Sequence, residues 1–452
     1  MNKNEKKPGE QVLATSRTTT PGGTCTDCHV DFFTVHVFFD GTGNNRFNTE
    51  VFRESSKKAR RYINFVTGIG SVSYENYYSN IALLFMAIKV SKVVKAIYIE
   101  GAGTVKYKAD TRRGMMLGWA EAGREARIEE AFEKLEKTVD KVNKSRVILN
   151  VYGFSRGASW ARHFCHLVKA KNSKWKQSKI NFVGIYDTVS SDGIEIHNDI
   201  EELGLDIGKA EEINYIAHLT AQNDYREKFP LTPIHRAIKD GIGFECSFPG
   251  AHSNLGGGYE EIDKDKDKFL GLVDVPAHEQ GDEYIDIEWF KRKGYYNDSQ
   301  ITEAPAGLLK NKKQYVGNRE VLNNYQFITC DAMRLIAENK ANYALKKESD
   351  FKVGVNNLLT VDELNKFHQV VLKYIQDNFN KKGDGYVVPM LPDEEMITIY
   401  NQYIHNSLEY GSTAGGGTKD NKTISADGKL DYYSNPTRPQ VQKGYKADEP
   451  LQ

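Results

Sequence analysis

Five cysteines in 452 residues, at positions 25, 28, 165, 246 and 330, are too few, too scattered and odd in number for a disulfide framework. They point to synthesis in a reducing compartment. Excess charge of either sign is also missing, because Lys plus Arg and Asp plus Glu both total 61. Without a broad basic field the chain is not expected to bind nucleic acid, and any lipid contact has to be local and apolar. Long hydrophobic runs are absent too. The longest, residues 81 to 88, is stopped by Lys89, far short of the about 18–20 residues that span a bilayer, and it reads as a buried helix segment. The N-terminal stretch MNKNEKKPGEQVLATSRTTTPGGT lacks the apolar region of a secretory signal peptide, so export by the general secretory route is not expected.

Two patterns with metal or cofactor spacing are present. Cys25-Thr26-Asp27-Cys28-His29 has the C-x-x-C-H order of c-type haem attachment. That attachment takes place outside the cytosol, and no export signal or evident second axial ligand accompanies it, so the pair reads as structural or incidental. Zinc would need a second ligand pair nearby. Asp263, Asp265 and Asp267 alternate, but Lys268 stands where a calcium-binding EF-hand has glycine and Asp274 where it has glutamate, so a solvated charged loop is expected. Neither cofactor nor metal is therefore expected.

Residues 1–30, rich in Thr, Lys, Gly and Pro, read as a disordered or extended segment, and the polar glycine-rich residues 411–452 as a tail. Between them, β-branched and aromatic runs at 32–39, 95–100, 146–152, 180–186 and 243–248 read as strands. Ile128, Ala131, Phe132, Leu135, Val139 and Val142 recur at helical spacing, and 158–169 is a further helix. Strands alternating with helices imply crossover units, hence an α/β fold with a mainly parallel sheet flanked by helices and binding at the strands' carboxyl ends. The catalytic core is expected over 31–260. Residues 261–410, with helix-rich stretches at 316–345, 361–380 and 392–408, read as a cap or second lobe, or as the completion of the core.

Gly153-Phe154-Ser155-Arg156-Gly157 fits G-x-S-x-G, a weak match alone, but a buried strand precedes it and a helix follows. That setting presents a serine as a nucleophile rather than as a helix cap. A serine hydroxyl needs a base to take its proton and a carboxylate to orient that base. Asp187, the first residue past a strand, is the expected acid, with Asp192 and Asp199 as alternatives. His252, in the glycine-flanked Pro249–Gly258 loop, is the expected base. It is preferred over His163, His166, His218 and His235, which sit in helical or polar segments and read as surface or packing residues. The oxyanion of acyl transfer needs two N–H donors, expected from Arg156 and from Gly41 or Thr42 in the Asp40–Asn45 turn.

Six stretches together, FFDGTGNN, YIEGAGT, GFSRGA, YDTVSS, FPGAHSNLGGGY and YIHNS, resemble the type VI secretion lipase effectors of the first Tle class, within a larger α/β-hydrolase domain family. The resemblance runs in order from residue 32 to about 410. It implies an α/β-hydrolase-like fold and a phospholipase A acting on membrane glycerophospholipids as an antibacterial toxin delivered to a target cell's periplasm. A cognate immunity protein and a secretion spike partner are implied as well. By position, the family's triad falls on Ser155, Asp187 and His252. The family motif usually continues His-Ser-Asp, and here Asn254 replaces that aspartate. A soluble carboxylesterase or thioesterase, and a catalytically idle fold serving as a binding or adaptor protein, are the alternative functions.

Overall fold

The computed structural model describes residues 32–407 apart from 60–61, 63–71, 112–121, 191–199, 201–202, 210, 227–228, 275–286 and 306–311, together with the short pairs 423–424 and 430–431. The Cys25/Cys28 pair, the N-terminal segment, most of the tail and the alternative acids Asp192 and Asp199 lie outside the described residues.

Seven strands build one sheet in which every neighbouring pair is parallel. They are β1 (Phe33–Phe39), β2 (Val94–Ile99), β3 (Val147–Phe154), β4 (Lys179–Tyr186), β5 (Ile216–Ala221), β6 (Gly243–Phe248) and β10 (Gly383–Val387), in the spatial order β10-β6-β5-β4-β3-β1-β2. A parallel sheet needs helices on both faces, and its strands are apolar on both sides for that reason. In β1, Val35, Val37 and Phe39 enter one core and Phe38 the other. The first core is closed by helices Arg124–Thr138 and Arg156–Lys169. The second is closed by helix Asn80–Ala87 and by the later helices Gln326–Lys340, Asp350–Leu358, Asp362–Asn378 and Asp393–Tyr403. The apolar run beginning at Ile81 is one of these, with Ile81, Leu83 and Leu84 fully buried. Each such side chain contributes about 1.5–3 kcal/mol of burial energy.

The described residues between 261 and 407 share this core, since β10 pairs with β6 and helix Gln326–Lys340 is buried along most of its length. The expectation of helix from 316 is corrected, and so is that of a charged loop at 263–267. Instead β7 (Ile262–Asp274), β8 (Ile301–Pro305) and β9 (Lys312–Leu322) form a three-stranded antiparallel sheet in the order β7-β9-β8. Aspartates and lysines alternate along β7, so its two faces differ in the sign of their charge and not in polarity, which hides the period of two. Cross-strand ion pairs replace apolar contacts: Lys264 with Glu320 at 2.9 Å and Asp265 with Arg319 at 2.8 Å.

Candidate active site

β3 ends at Phe154 and a helix begins at Arg156, leaving Ser155 alone in the turn with φ 59° and ψ −128°. A non-glycine residue there costs about 1–3 kcal/mol and must be held by its surroundings. The Ser155 N–H donates to Tyr186 O at 3.1 Å, and its carbonyl accepts from Ala158 N at 3.0 Å and Val189 N at 3.3 Å. Its side chain makes no helix-capping hydrogen bond, so capping does not account for the hydroxyl. The flanking glycines are required by close approach. A Cβ on Gly153 would stand 2.5 Å from Gly157 O, and one on Gly157 would stand 2.2 Å from Asp40 O.

Asp187 follows β4 directly, fully buried and itself at φ 43°. Its N–H donates to Leu219 O at 2.8 Å, its Oδ1 accepts from Ala221 N at 2.7 Å, and its Oδ2 lies 2.5 Å from His252 Nδ1. His252 opens a one-turn helix, His252–Gly256, after Gly250 at φ 121°. Its ring packs 4.6 Å from the Phe154 ring and 5.4 Å from that of Phe229. With Nδ1–H directed at the carboxylate, Nε2 is left as the acceptor. That atom is buried and has no hydrogen-bond partner among the described residues. The acid and the histidine are thus brought together beside the serine turn, and the Nε2 lone pair is available for a proton.

The loop after β1 flanks the same turn. A Cβ on Gly41 would stand 2.4 Å from the Phe154 ring, and Thr42 Oγ1 accepts from Arg156 Nε at 2.7 Å. The Gly41 amide departs from the expectation of an oxyanion donor, because it donates to Asp40 Oδ1 at 2.8 Å. Asp40 is buried and also receives Ser79 Oγ at 2.6 Å and Tyr98 Oη at 2.5 Å. Burial pushes its carboxyl up to about 6 against these three hydrogen bonds, so it needs every donor within reach.

Asn254 has all its hydrogen-bonding capacity in use. Its Oδ1 accepts from Ala251 N at 3.1 Å and His405 N at 3.0 Å. Its Nδ2 donates to Tyr403 O at 2.9 Å and lies 3.2 Å from His405 Nδ1. It therefore ties the histidine loop to the stretch 403–405, where the His405 ring stacks 3.4 Å from that of Tyr259. A side chain that accepts twice and donates to a carbonyl suits an amide, and an ionised carboxylate could not donate there.

Several contributors were not expected from the sequence. Asp224, fully buried, accepts the His252 backbone N–H at 3.1 Å and pairs with Arg226 at 2.6 Å. His218, expected as a surface or packing residue, is buried on β5, 2.8 Å from Glu245. That strand is short, and its central histidine interrupts the apolar run that would have revealed it. Of the other histidines, His163 is half-buried with Nδ1 2.7 Å from Leu203 O, while His166 and His235 are exposed. Among the described residues no group of three His, Cys, Asp or Glu side chains is arranged to hold a metal. Asp263 and Asp265 are occupied by His405 at 3.3 Å and Arg319 at 2.8 Å.

Residues 166–278 match the family described as the type VI secretion phospholipase effector Tle1-like catalytic domain. That segment is thus similar to a Tle1-like phospholipase effector catalytic domain. The matched segment contains Asp187 and His252 and starts after Ser155. Among solved structures, the chain is similar to a Tle1 effector bound to the VgrG spike of the type VI secretion system, at 20% identity over 86% of this chain and 90% of that one, with a TM-score of 0.47. It is also similar to an uncharacterized protein from Pseudomonas aeruginosa, at 19% identity over 51% of this chain and 42% of that one, with a TM-score of 0.32. No curated protein matches the chain. The matched segment spans β4, β5 and β6 of the all-parallel seven-stranded sheet. Among the described residues no helix is long and apolar enough to cross a membrane.

Proposed function

We propose that the chain is a serine phospholipase A that cleaves acyl esters of membrane glycerophospholipids. The observation that carries this reading is the 2.5 Å contact between Asp187 Oδ2 and His252 Nδ1 beside a strained serine turn, in a chain with a Tle1-like phospholipase domain. Ser155 Oγ attacks the ester carbonyl carbon while His252 Nε2 takes the hydroxyl proton. Asp187 keeps the ring in the required tautomer and stabilises the imidazolium. The developing oxyanion is held by the Arg156 N–H and, since the Gly41 amide is committed to Asp40, by the Thr42 N–H. Collapse breaks the bond to the glycerol oxygen, which leaves with the proton from His252 as the alcohol of a lysophospholipid. Water, deprotonated by the same nitrogen, then releases the fatty acid and regenerates Ser155.

The type VI secretion family supports the setting: an antibacterial effector made in the cytoplasm and delivered to the periplasm of a target cell. Loading onto the secretion spike and neutralisation by a cognate immunity protein belong to the same proposal. No metal or cofactor enters the mechanism. The test is fatty acid release from vesicles of defined phospholipid by the wild type and Ser155→Ala. The wild type should release fatty acid and the variant should not. Equal release by both, or hydrolysis by the wild type of short soluble esters alone, overturns the phospholipase reading.

A further inference from the structure

The turn that carries Asp187 is held from behind by a buried histidine and a half-buried glutamate that the hydrolytic steps do not touch. His218 on β5 and Glu245 on β6 are register partners, and His218 is also opposite Ile185 on β4, two residues before Asp187. His218 Nδ1 lies 2.8 Å from Glu245 Oε2, and its Nε2 accepts the backbone N–H of Thr188 at 3.1 Å. A backbone amide only donates, so Nε2 carries the lone pair, Nδ1 carries the proton and the ring is neutral. Thr188 is the residue after the acid.

Two features separate this pair from ordinary packing. Holding a carboxylate half-buried against a fully buried histidine costs desolvation, and apolar side chains of similar volume would close the same layer without that cost. Burial opposes the charge on Glu245, yet the hydrogen bonds from His218 and the Ile234 N–H, with the charge of Arg162, hold its carboxyl below the usual range. The turn it supports is strained, since Asp187 sits at φ 43°. The other side of the turn is tied as well: Thr188 O accepts from Thr232 N at 2.9 Å, and Thr232 O accepts from Arg162 Nη1 at 2.8 Å. Arg162 lies on the helix that Ser155 opens. Serine turn and acid turn thus share one buried polar network, with His218 and Glu245 at its closed end.

We propose that His218, oriented by Glu245, is a positioning residue for the reaction: its Nε2 anchors the Thr188 amide and so fixes the Asp187 carboxylate against His252. The inference rests on the proposed Ser155, His252 and Asp187 mechanism. The ring is fully buried and reaches no substrate, so its effect passes through the acid alone.

The test compares full-length wild type, Ser155→Ala, His218→Leu, His218→Gln and Glu245→Gln for fatty acid release from phosphatidylethanolamine and phosphatidylglycerol vesicles, with thermal melting measured alongside. His218→Leu should lower kcat about 10- to 100-fold with apparent KM within about 2-fold, because a small displacement of the acid is felt in the transition state and not in binding. His218→Gln, whose Oε1 can accept the Thr188 N–H, should recover most of that loss. Glu245→Gln should lower kcat by about 3-fold or more at unchanged KM. Wild-type kcat in folded His218→Leu, or equal kcat in the Leu and Gln variants, overturns the proposal. If His218→Leu does not fold, Glu245→Gln decides, and unchanged kcat in it overturns the proposal. An inactive Ser155→Ala beside a fully active His218→Leu refutes the positioning role alone. An active Ser155→Ala refutes the mechanism and the positioning role with it.

Discussion

Asp187 Oδ2 lies 2.5 Å from His252 Nδ1, both side chains are buried, and the opposite ring nitrogen has no partner among the described residues. The ring is therefore oriented before any substrate arrives. Asp187→Asn is the cleanest probe, because asparagine tolerates the left-handed backbone at φ 43°. The amide keeps the shape and presents a donor where the carboxylate accepted, which favours the wrong tautomer. We expect kcat for ester hydrolysis to fall about 10⁴-fold. Melting temperature should change little. Initial rates with a calorimetric scan check both.

Gly157 is fixed by the carbonyls at the end of β1. A Cβ there would stand 2.2 Å from Asp40 O and 2.6 Å from Phe39 O, both backbone atoms that cannot swing aside. Gly157→Ala should destabilise the chain by about 1–3 kcal/mol and displace the serine turn. Urea unfolding midpoints and residual hydrolysis should fall together. Retention of both would show that the turn is less tightly packed than this contact requires.

Asn254→Asp should weaken the fold. The two accepted bonds from Ala251 N and His405 N survive, but a carboxylate oxygen replaces the donor that lies 2.9 Å from Tyr403 O. The lost bond and the facing oxygens cost about 1–3 kcal/mol at neutral pH. An acid destabilised in this way has a raised folded-state pKa, so stability should recover as pH falls and the protonated carboxyl donates again. Melting curves of the variant at pH 8 and pH 5, against wild type, test the sign.

Asp40 should leave a pH dependence of its own. Burial raises its carboxyl from an ordinary 3.8 to about 6, so the folded chain binds this proton more readily than the unfolded one. Its ionisation therefore costs stability above about pH 6, and the cost is relieved as pH falls toward 4. Asp40→Asn removes the titration while keeping the shape. Relative to that variant, the wild type should gain up to about 3 kcal/mol between pH 7 and pH 4, read from denaturation midpoints.

Much of the sheet was legible because its strands are apolar on both faces and stop at glycine-rich turns. β1, β3, β4 and β6 were expected within about two residues of their observed ends, the usual margin for boundaries. β5 was not legible, since His218 breaks a six-residue apolar run. Nor was the β7, β9 and β8 sheet, whose ion pairs replace apolar alternation. For residues 261–410 the sequence leaves a cap, a second lobe and a completion of the core open, because the contacts of the described residues there with β6 and the histidine loop are long-range, and nothing local marks them.

By itself the sequence determined chemistry that depends on neighbours along the chain: a serine between two glycines after a strand, an acid at the next strand's end, a histidine in a glycine-flanked loop. Backbone strain and close approach are local, so residue type encodes them. Only the tertiary structure decided what depends on distance through space. It committed the Gly41 amide to a buried Asp40, gave Asn254 four bonds that tie residues 403–405 to the histidine loop, and set His218 and Glu245 behind Asp187. Buried polar groups have to find partners, and which partners they find is settled by how the strands and loops are brought together.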